Sequence, residues 1–234
     1  MARITRKELK TDKFALEVEH TVDFFEEHRT EIVRYGAAAI VIVAIVVLIS
    51  VYRGHQHTVR QEALAQAIAV QEAPVTTAPR PGTPLSFPTQ DAKDKEAVKV
   101  FSELAANYSG TDEGYIAEYY LGCIAADQGK LSDAEKRFTS VAESADKKYS
   151  SLAKLSLGQV YFAEGKTDLG DKTLRSVMDH PTIFASKEQA AITLAKLLAP
   201  TKPAEARKLI EPLRATPGAV GQAAIEAYSA LPPK

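Results

Sequence analysis

Few residues of this chain have the types and spacing that catalysis or metal binding requires. The five histidines are scattered, and the one close pair, His55 and His57, has no third metal ligand nearby. The single cysteine, Cys123, has no partner for an internal disulfide, and we interpret it as a structural thiol that helix packing buries. No phosphate-binding glycine loop, nucleophile elbow or CxxC pair occurs. We therefore expect no enzyme, metal site or cofactor, and an unrecognised carboxylate pair remains the remote enzymatic alternative.

Composition narrows the remaining classes of function. A formal net charge of −1 and a pI near 6.5 supply no basic surface for nucleic acid. The chain has 45% hydrophobic and 25% charged residues, as globular proteins do. Abundant Ala, Leu, Lys and Glu, with few glycines and no tryptophan, predict an all-α fold. We expect partners to be other proteins, with no small-molecule substrate.

Residues 35–52 form the most distinctive segment, eighteen consecutive residues without a charge. At about 1.5 Å per helical residue they cover about 27 Å, close to the roughly 30 Å of bilayer hydrocarbon. A cleaved secretion signal is the main alternative, but the 34-residue leader is long and no small-x-small site directly follows the apolar run. We predict a single, uncleaved transmembrane helix.

Charge asymmetry gives the orientation of this span. Seven Lys and Arg residues precede it, whereas an equal length after it contains three. The positive-inside rule then predicts a cytoplasmic N-terminus and a C-terminal domain on the other side, which in a bacterium is the periplasm. Close to the span the bias disappears, because Arg29 and Arg34 oppose Arg53 and Arg60.

Three segments flank the span. Residues 1–34 form the cytosolic tail, in which an apolar stripe predicts an amphipathic helix that either lies on the membrane surface or packs against a partner. The stripe consists of Phe14, Val18, Val22, Phe25 and Ile32. Residues 53–72 predict a juxtamembrane helix. Residues 73–90 contain five of the twelve prolines and predict an extended, semi-rigid linker.

An internal period runs through residues 91–234. Small residues recur at separations of 37, 36 and 36, at Ala97, Ala134, Gly170 and Ala206. A large apolar residue follows each by four positions, at Phe101, Phe138, Leu174 and Ile210, and another follows three later, at Leu104, Val141, Val177 and Leu213. Upstream lie Leu121-Gly122, Leu157-Gly158 and Leu194-Ala195. Small residues let two helices approach closely, and the large ones fill the space against the next pair.

These offsets resemble the tetratricopeptide repeat, which implies an α-solenoid of helical hairpins. The first helix of the earliest hairpin should lie near Leu64-Ala65, before the linker. Capping boxes are predicted at Ser132–Glu135 and Ser186–Gln189. Pro212 should bend the second helix of the last hairpin. Residues 218–231 should form a closing helix.

The resemblance also implies a concave binding surface, lined by the first helix of each hairpin. Nine positions are predicted to line this groove: Ile116, Tyr119, Cys123, Leu152, Leu155, Gln159, Phe162, Ile192 and Lys196. Their mostly apolar character predicts binding of hydrophobic polypeptide. The alternative is that Leu155, Phe162 and Ile192 pack one repeat against the next. The Lys and Asn with which some modules of this kind bind a C-terminal carboxylate are absent.

The layout of tail, single span and tetratricopeptide-like domain resembles a bacterial family, the ancillary subunit of the Sec translocon. This resemblance implies a protein of the bacterial inner membrane that contacts Sec channel subunits, periplasmic chaperones or client polypeptides. We expect a membrane-anchored interaction module that assists translocation or hands clients to chaperones. The alternative is a structural scaffold for a cell-division or outer-membrane assembly complex, and the oligomeric state stays open.

Overall fold

A computed structural model describes residues 29–77 and 85–232, apart from the side chain of Ile32. The predicted amphipathic stripe before Arg29 and the proline-rich residues 78–84 lie outside the described residues. The chain divides into two compact units, Met1–Thr58 and Val59–Lys234.

The described residues form nine α-helices and one 3₁₀-helix. The α-helices are α1 (Arg29–Glu72), α2 (Gln90–Asn107), α3 (Asp112–Asp127), α4 (Leu131–Ser144), α5 (Lys147–Ala163), α6 (Thr167–Asp179), α7 (Lys187–Leu198), α8 (Pro203–Ile210) and α9 (Ala219–Ser229). The 3₁₀-helix spans Glu211–Ala215. No β-strand occurs within residues 29–77 and 85–232, so the prediction of an all-α fold is confirmed.

Helix α1 contains the apolar segment. The helix is 44 residues long, and its most apolar stretch has a mean hydropathy of 2.7 with no part of it buried. By length and composition α1 is sufficient to cross a membrane, a test that a signal sequence also passes. Its large aliphatic side chains are well exposed, as Ile40 at 71% and Leu48 at 69% illustrate.

The second unit is a series of helical hairpins, α3 with α4, α5 with α6, and α7 with α8. Glycine allows close approach within the first two hairpins. A Cβ atom built on Gly122 would lie 2.7 Å from Cε1 of Phe138, and one built on Gly158 would lie 2.6 Å from Cγ of Leu174. Both distances are too short for packed carbon atoms, so any larger residue at these two positions would force its neighbour to shift.

Burial confirms the predicted period. The small residues Ala97, Ala134 and Ala206 have no exposed surface, and Gly170 is also buried. The large residues four positions later are at most 1% exposed: Phe101, Phe138, Leu174 and Ile210. Among the large apolar residues three positions further on, Leu213 is only partly buried, because the α-helix ends before this residue.

The turns inside the first two hairpins share one geometry. Gly129 and Gly165 have φ of +71° and +77°, which glycine adopts without strain. The next residue donates its N–H back to the helix, from Lys130 to Ala125 O and from Lys166 to Tyr161 O, both at 2.8 Å. This turn starts α4 at Leu131, so the predicted capping box at Ser132–Glu135 is wrong.

The end of the domain shows one confirmed and one corrected prediction. Ser186 caps α7 by accepting a hydrogen bond from the N–H of Gln189 at 3.1 Å. Pro212 does not bend a helix; α8 ends at Ile210, and Pro212 lies in the 3₁₀-helix that follows, where the missing N–H costs less. The closing helix is α9.

The end of α1 shares a hydrophobic cluster with α2 and α3. Ala67 and Val70 lie in the same buried cluster as Phe101, whereas Ala65, near which the first helix of the earliest hairpin was predicted, is exposed. The ends of the predicted linker are not free: Val75 and Phe87 form an isolated β-bridge, in which the N–H of Thr76 donates to Phe87 O at 2.8 Å. The core of the domain therefore begins before the proline-rich segment.

Candidate protein-binding surface

An apolar cavity of about 260 Å³ lies between α3, α5 and the loop that joins α6 to α7. Four of its eight lining side chains are tyrosines, and we call it the tyrosine cavity. It is lined by Tyr115, Ile116, Tyr119, Tyr120, Val141, Tyr149, Leu152 and Phe184. Helices α3 and α5 are the first helices of successive hairpins, so the cavity lies on the face where the groove was predicted.

Tyr119 links the two helices that form this cavity. Its hydroxyl is 3.1 Å from the Ser156 hydroxyl on α5, and its ring lies 5.5 Å from that of Phe138. Burial raises the pKa of Tyr119 to about 12, so the phenol is neutral at physiological pH. The ring therefore has a fixed position and presents an apolar surface to the cavity.

Two aromatic pairs hold the other walls. Tyr120 stacks on Phe101 of α2, with ring centroids 4.8 Å apart and an angle of 8° between the planes. Tyr149 stacks on Phe184 at 5.4 Å, and the Lys148 ammonium lies 4.7 Å from the Tyr149 ring centre. These contacts attach the loop residue Phe184 to α5, so the loop forms part of the wall.

The loop whose Phe184 lines the cavity carries exposed apolar side chains. Ile183 is 87% exposed and its neighbour Phe184 is 40% exposed, in the loop between α6 and α7. Exposed apolar groups beside an apolar cavity are typical of surfaces that bind other proteins.

Cys123 lies beside this cavity, one helical turn after Tyr119. It is a free, partly buried cysteine, packed against a cluster that contains Ala125 and Phe138. Burial is the main cause that raises the pKa of the Cys123 thiol to about 11, against a smaller opposing effect of its hydrogen bond with Tyr119. The thiol is thus protonated and a poor nucleophile at neutral pH.

The structure separates the nine predicted groove residues into three groups. Ile116, Tyr119 and Leu152 line the tyrosine cavity, with Cys123 beside it. Gln159 and Lys196 are exposed on α5 and α7, away from the cavity.

The remaining three predicted residues pack against neighbouring helices. Leu155 and Ile192 are 4% and 9% exposed and share one buried cluster, so they are corrected from the groove to the core. Phe162 is partly buried against the same cluster, and a Cβ atom built on Gly170 would lie 2.4 Å from its Cδ2. Packing between repeats explains Leu155 and Ile192, and the Phe162 contact with Gly170 lies within one hairpin.

Five of the lining residues were not among the predicted groove residues: Tyr115, Tyr120, Val141, Tyr149 and Phe184. The pair Tyr115 and Tyr119 has a spacing of four, which places both rings on one face of α3 and was a usable signal. Phe184 lies in a loop outside the period, and no sequence pattern connects it to Tyr149.

Among the described residues, no group of three or more His, Cys, Asp or Glu side chains is arranged to hold a metal ion. His55 and His57 both have exposed side chains on α1. The tyrosine cavity can bind an apolar group of a ligand through shape and apolar contact. Its polar components are the tyrosine hydroxyl groups.

Comparison with known proteins gives one match. The family described as tetratricopeptide repeat-like domain matches residues 23–210, about four-fifths of the chain. No curated protein and no solved structure matches the chain. The hairpins, the glycine contacts and this match agree, and the chain belongs to the tetratricopeptide repeat-like domain family.

Proposed function

We propose that this protein is a membrane-anchored interaction module that binds apolar segments of other polypeptides in the tyrosine cavity. The observation that carries the proposal is the cavity itself, which is apolar and lined in part by Phe184, a loop residue that is 40% exposed. Tyrosine-rich concave surfaces are typical of protein recognition, since the rings bury large areas at low entropic cost.

The size of the cavity favours a peptide side chain as the occupant. A volume of about 260 Å³ lies below the roughly 300–1,000 Å³ of pockets that enclose drug-sized ligands. Repeat solenoids bind extended or helical polypeptide on the first helices of their hairpins, where this cavity lies. Tetratricopeptide-like domains generally act as binding modules, so we propose no catalytic activity.

The proposal places the domain at a membrane. The apolar part of α1 exposes its aliphatic side chains, and the same helix contains Ala67 and Val70, which are buried in the core of the repeat domain. No small-x-small site directly follows the apolar run, so we propose an uncleaved anchor in the bacterial inner membrane with residues 53–234 in the periplasm.

Within the envelope, we propose a role in secretory protein translocation. The support is the resemblance in layout to the ancillary subunit of the Sec translocon, together with a cavity suited to apolar segments of unfolded clients. Sec channel subunits and periplasmic chaperones are the corresponding partners. A scaffold for cell division or outer-membrane assembly is the competing function, and it requires folded partners only.

Site-specific photocrosslinking tests this proposal. Benzoylphenylalanine at Leu152, inside the tyrosine cavity, should crosslink to a secretory precursor during translocation. The matched control is the same probe at Leu169, which is 50% exposed on α6 and does not line the cavity. Equal crosslinking from both positions, or crosslinks from Leu152 to division or outer-membrane assembly proteins alone, would contradict the translocation role.

A further inference from the structure

A second cavity lies on the other side of the loop that borders the tyrosine cavity. Its volume is about 530 Å³, and its positively charged side chains, Lys147 and Lys154, extend from α5. His180, at the end of α6, lines it as well. Thr182 lines this second cavity and Phe184 lines the first, so only a few loop residues separate them. We call the second one the basic cavity.

Helix α5 contributes to both cavities from neighbouring faces. Lys147, Ser151 and Lys154 occur at helical spacing on the face toward the basic cavity. Tyr149 and Leu152 lie on the adjoining face toward the tyrosine cavity. In the loop, the Cα atoms of residues 182 and 184 are at most about 7 Å apart, so one short peptide has the length to occupy both cavities.

The charge of the basic cavity is unbalanced. No carboxylate lines it: Asp146 and Asp179 are neighbours of Lys147 and His180 in sequence but are not among the lining residues. Neither Lys147 nor Lys154 forms an ion pair with another residue in the described part of the chain. This concentration of positive charge contrasts with the net charge of −1 of the whole chain.

The hydroxyl groups of the cavity do not act as donors toward a ligand. Ser150 donates to Ala142 O at 2.5 Å, Ser151 donates to Lys148 O at 2.9 Å, and Ser176 donates to Thr173 O at 2.7 Å. The Thr182 hydroxyl is 2.5 Å from that of Ser151, whose single proton is already used, so Thr182 is the donor of this pair. The remaining donors are the two ammonium groups and the imidazole of His180, which together favour a negatively charged acceptor.

Together with the proposed function, on which this inference rests, the geometry points to a partner polypeptide that carries a carboxylate within about three residues of an apolar anchor. The apolar side chain enters the tyrosine cavity, and Lys147 and Lys154 bind the carboxylate in the basic cavity. A peptide is favoured over a lipid headgroup, because the basic cavity adjoins a cavity of side-chain size and not a flat surface. The carboxylate comes from an Asp or Glu side chain or from a chain terminus.

A peptide selection with the full chain in detergent tests this inference. The probe is a displayed library of random decapeptides, selected on the wild type, on K147E/K154E and on the control K172E. Lys172 is exposed on α6, forms no ion pair with a described residue and lines neither cavity. The wild type and K172E should select Asp or Glu beside Leu, Ile or Phe, whereas K147E/K154E should select Lys or Arg at the acidic position.

Synthetic peptides then give the size of the effect. Replacing the selected Glu by Gln should weaken binding to the wild type about tenfold, as loss of a charge-assisted contact does. Replacing it by Lys should restore binding to K147E/K154E, a rescue that a purely structural role of these lysines would not produce. Comparison of free-acid and amidated peptides distinguishes a terminal carboxylate from a side-chain carboxylate.

The possible failures are distinguishable. If the wild type selects no peptide, the proposed function itself fails. If it selects apolar peptides without acidic residues, and K147E/K154E selects the same ones, peptide binding stands and the carboxylate site is overturned. Displacement of the acidic peptide by phosphatidylglycerol in the micelles, with loss of this displacement in K147E/K154E, would assign the basic cavity to a lipid headgroup and also overturn the inference.

Discussion

Gly158 on α5 faces Leu174 on α6 so closely that a Cβ atom on the glycine would lie 2.6 Å from the leucine Cγ. Leu174 has no exposed surface, so any movement away from the glycine would disturb the surrounding core. The same relationship joins Gly122 to Phe138 one hairpin earlier. The distance between the helices of these two hairpins therefore depends on the absence of a single carbon atom.

The first prediction is that Gly158→Leu destabilises the repeat domain. Overpacking costs about 1–3 kcal/mol, which exceeds the gain of about 0.8 kcal/mol from the better helix propensity of leucine. The thermal unfolding midpoint of the full chain, followed by circular dichroism, should fall. Gln159→Leu, at the exposed next position, adds the same side chain without overpacking and should leave the midpoint unchanged. An unchanged midpoint for Gly158→Leu would show that the close contact is not needed.

The repeat period was predictable from sequence because it reflects the packing of small residues against large apolar residues between helices. Ala134 and Phe138 are four residues apart on one helix, and their sizes are dictated by the helix they face. The start of α4 was not predictable from Ser132 alone. Gly129 ends α3 in a left-handed turn, and that geometry places the first helical residue at Leu131, before the serine.

The candidate surface was only partly predictable, for a different reason. The spacing of Leu152 and Leu155 places both on the side of α5 that faces other helices, but it does not separate a cavity from a core. Leu155 packs into the next repeat with Ile192, whereas Leu152 faces the tyrosine cavity. Phe184 reaches Tyr149 across a loop, and this contact exists only after the hairpins have packed together.

A second prediction concerns the ion pair between Arg60 and Glu113. The Arg60 Nε is 3.0 Å from Glu113 Oε2, and the Glu113 side chain is 5% exposed against 22% for Arg60. Removal of the arginine leaves a buried carboxylate with less compensation, so Arg60→Ala should cost about 2–3 kcal/mol, below the usual range for fully buried pairs because Arg60 is partly solvated. Chemical denaturation of the full chain measures this loss.

Two further variants check the interpretation of this pair. Replacement of both residues, Arg60→Leu with Glu113→Leu, should recover stability relative to Arg60→Ala, because no buried charge remains. Lys95→Ala breaks an exposed pair with Asp91 and should leave the midpoint unchanged. A loss no greater for Arg60→Ala than for Lys95→Ala would contradict a structural role of the pair.

A third prediction concerns the pH dependence of Cys123 alkylation. Burial raises the thiol pKa from 9.0 to about 11. At pH 8 roughly 0.1% is then thiolate, against roughly 10% for the ordinary value, so iodoacetamide should react about 100-fold more slowly with the native chain than with the chain unfolded in urea. The native rate should keep rising with pH until about 11. A native rate that levels off near pH 9 would contradict the raised pKa.

A fourth prediction concerns the orientation of the span. Alkaline phosphatase, which is active only outside the cytoplasm, should be active when it is fused after Lys234. The excess of positive charge before residue 35 gives this direction. The same enzyme fused after Arg34, before the span, is the control and should be inactive. An inactive but well-expressed fusion after Lys234 would overturn the periplasmic location and with it the translocation role.

The last prediction separates binding from stability at two leucines on the same helix. Leu152 is only partly buried at the wall of the tyrosine cavity, so Leu152→Glu should preserve the fold and weaken retention of an unfolded secretory protein. Leu155 is 4% exposed, and Leu155→Glu buries an unpaired charge, which should cost several kcal/mol and unfold the domain. Gln159→Glu introduces the same side chain at an exposed site and should change neither property. Circular dichroism gives the melting temperature of each variant, and a pull-down gives client retention. Normal melting together with normal retention for Leu152→Glu would show that clients do not use the tyrosine cavity.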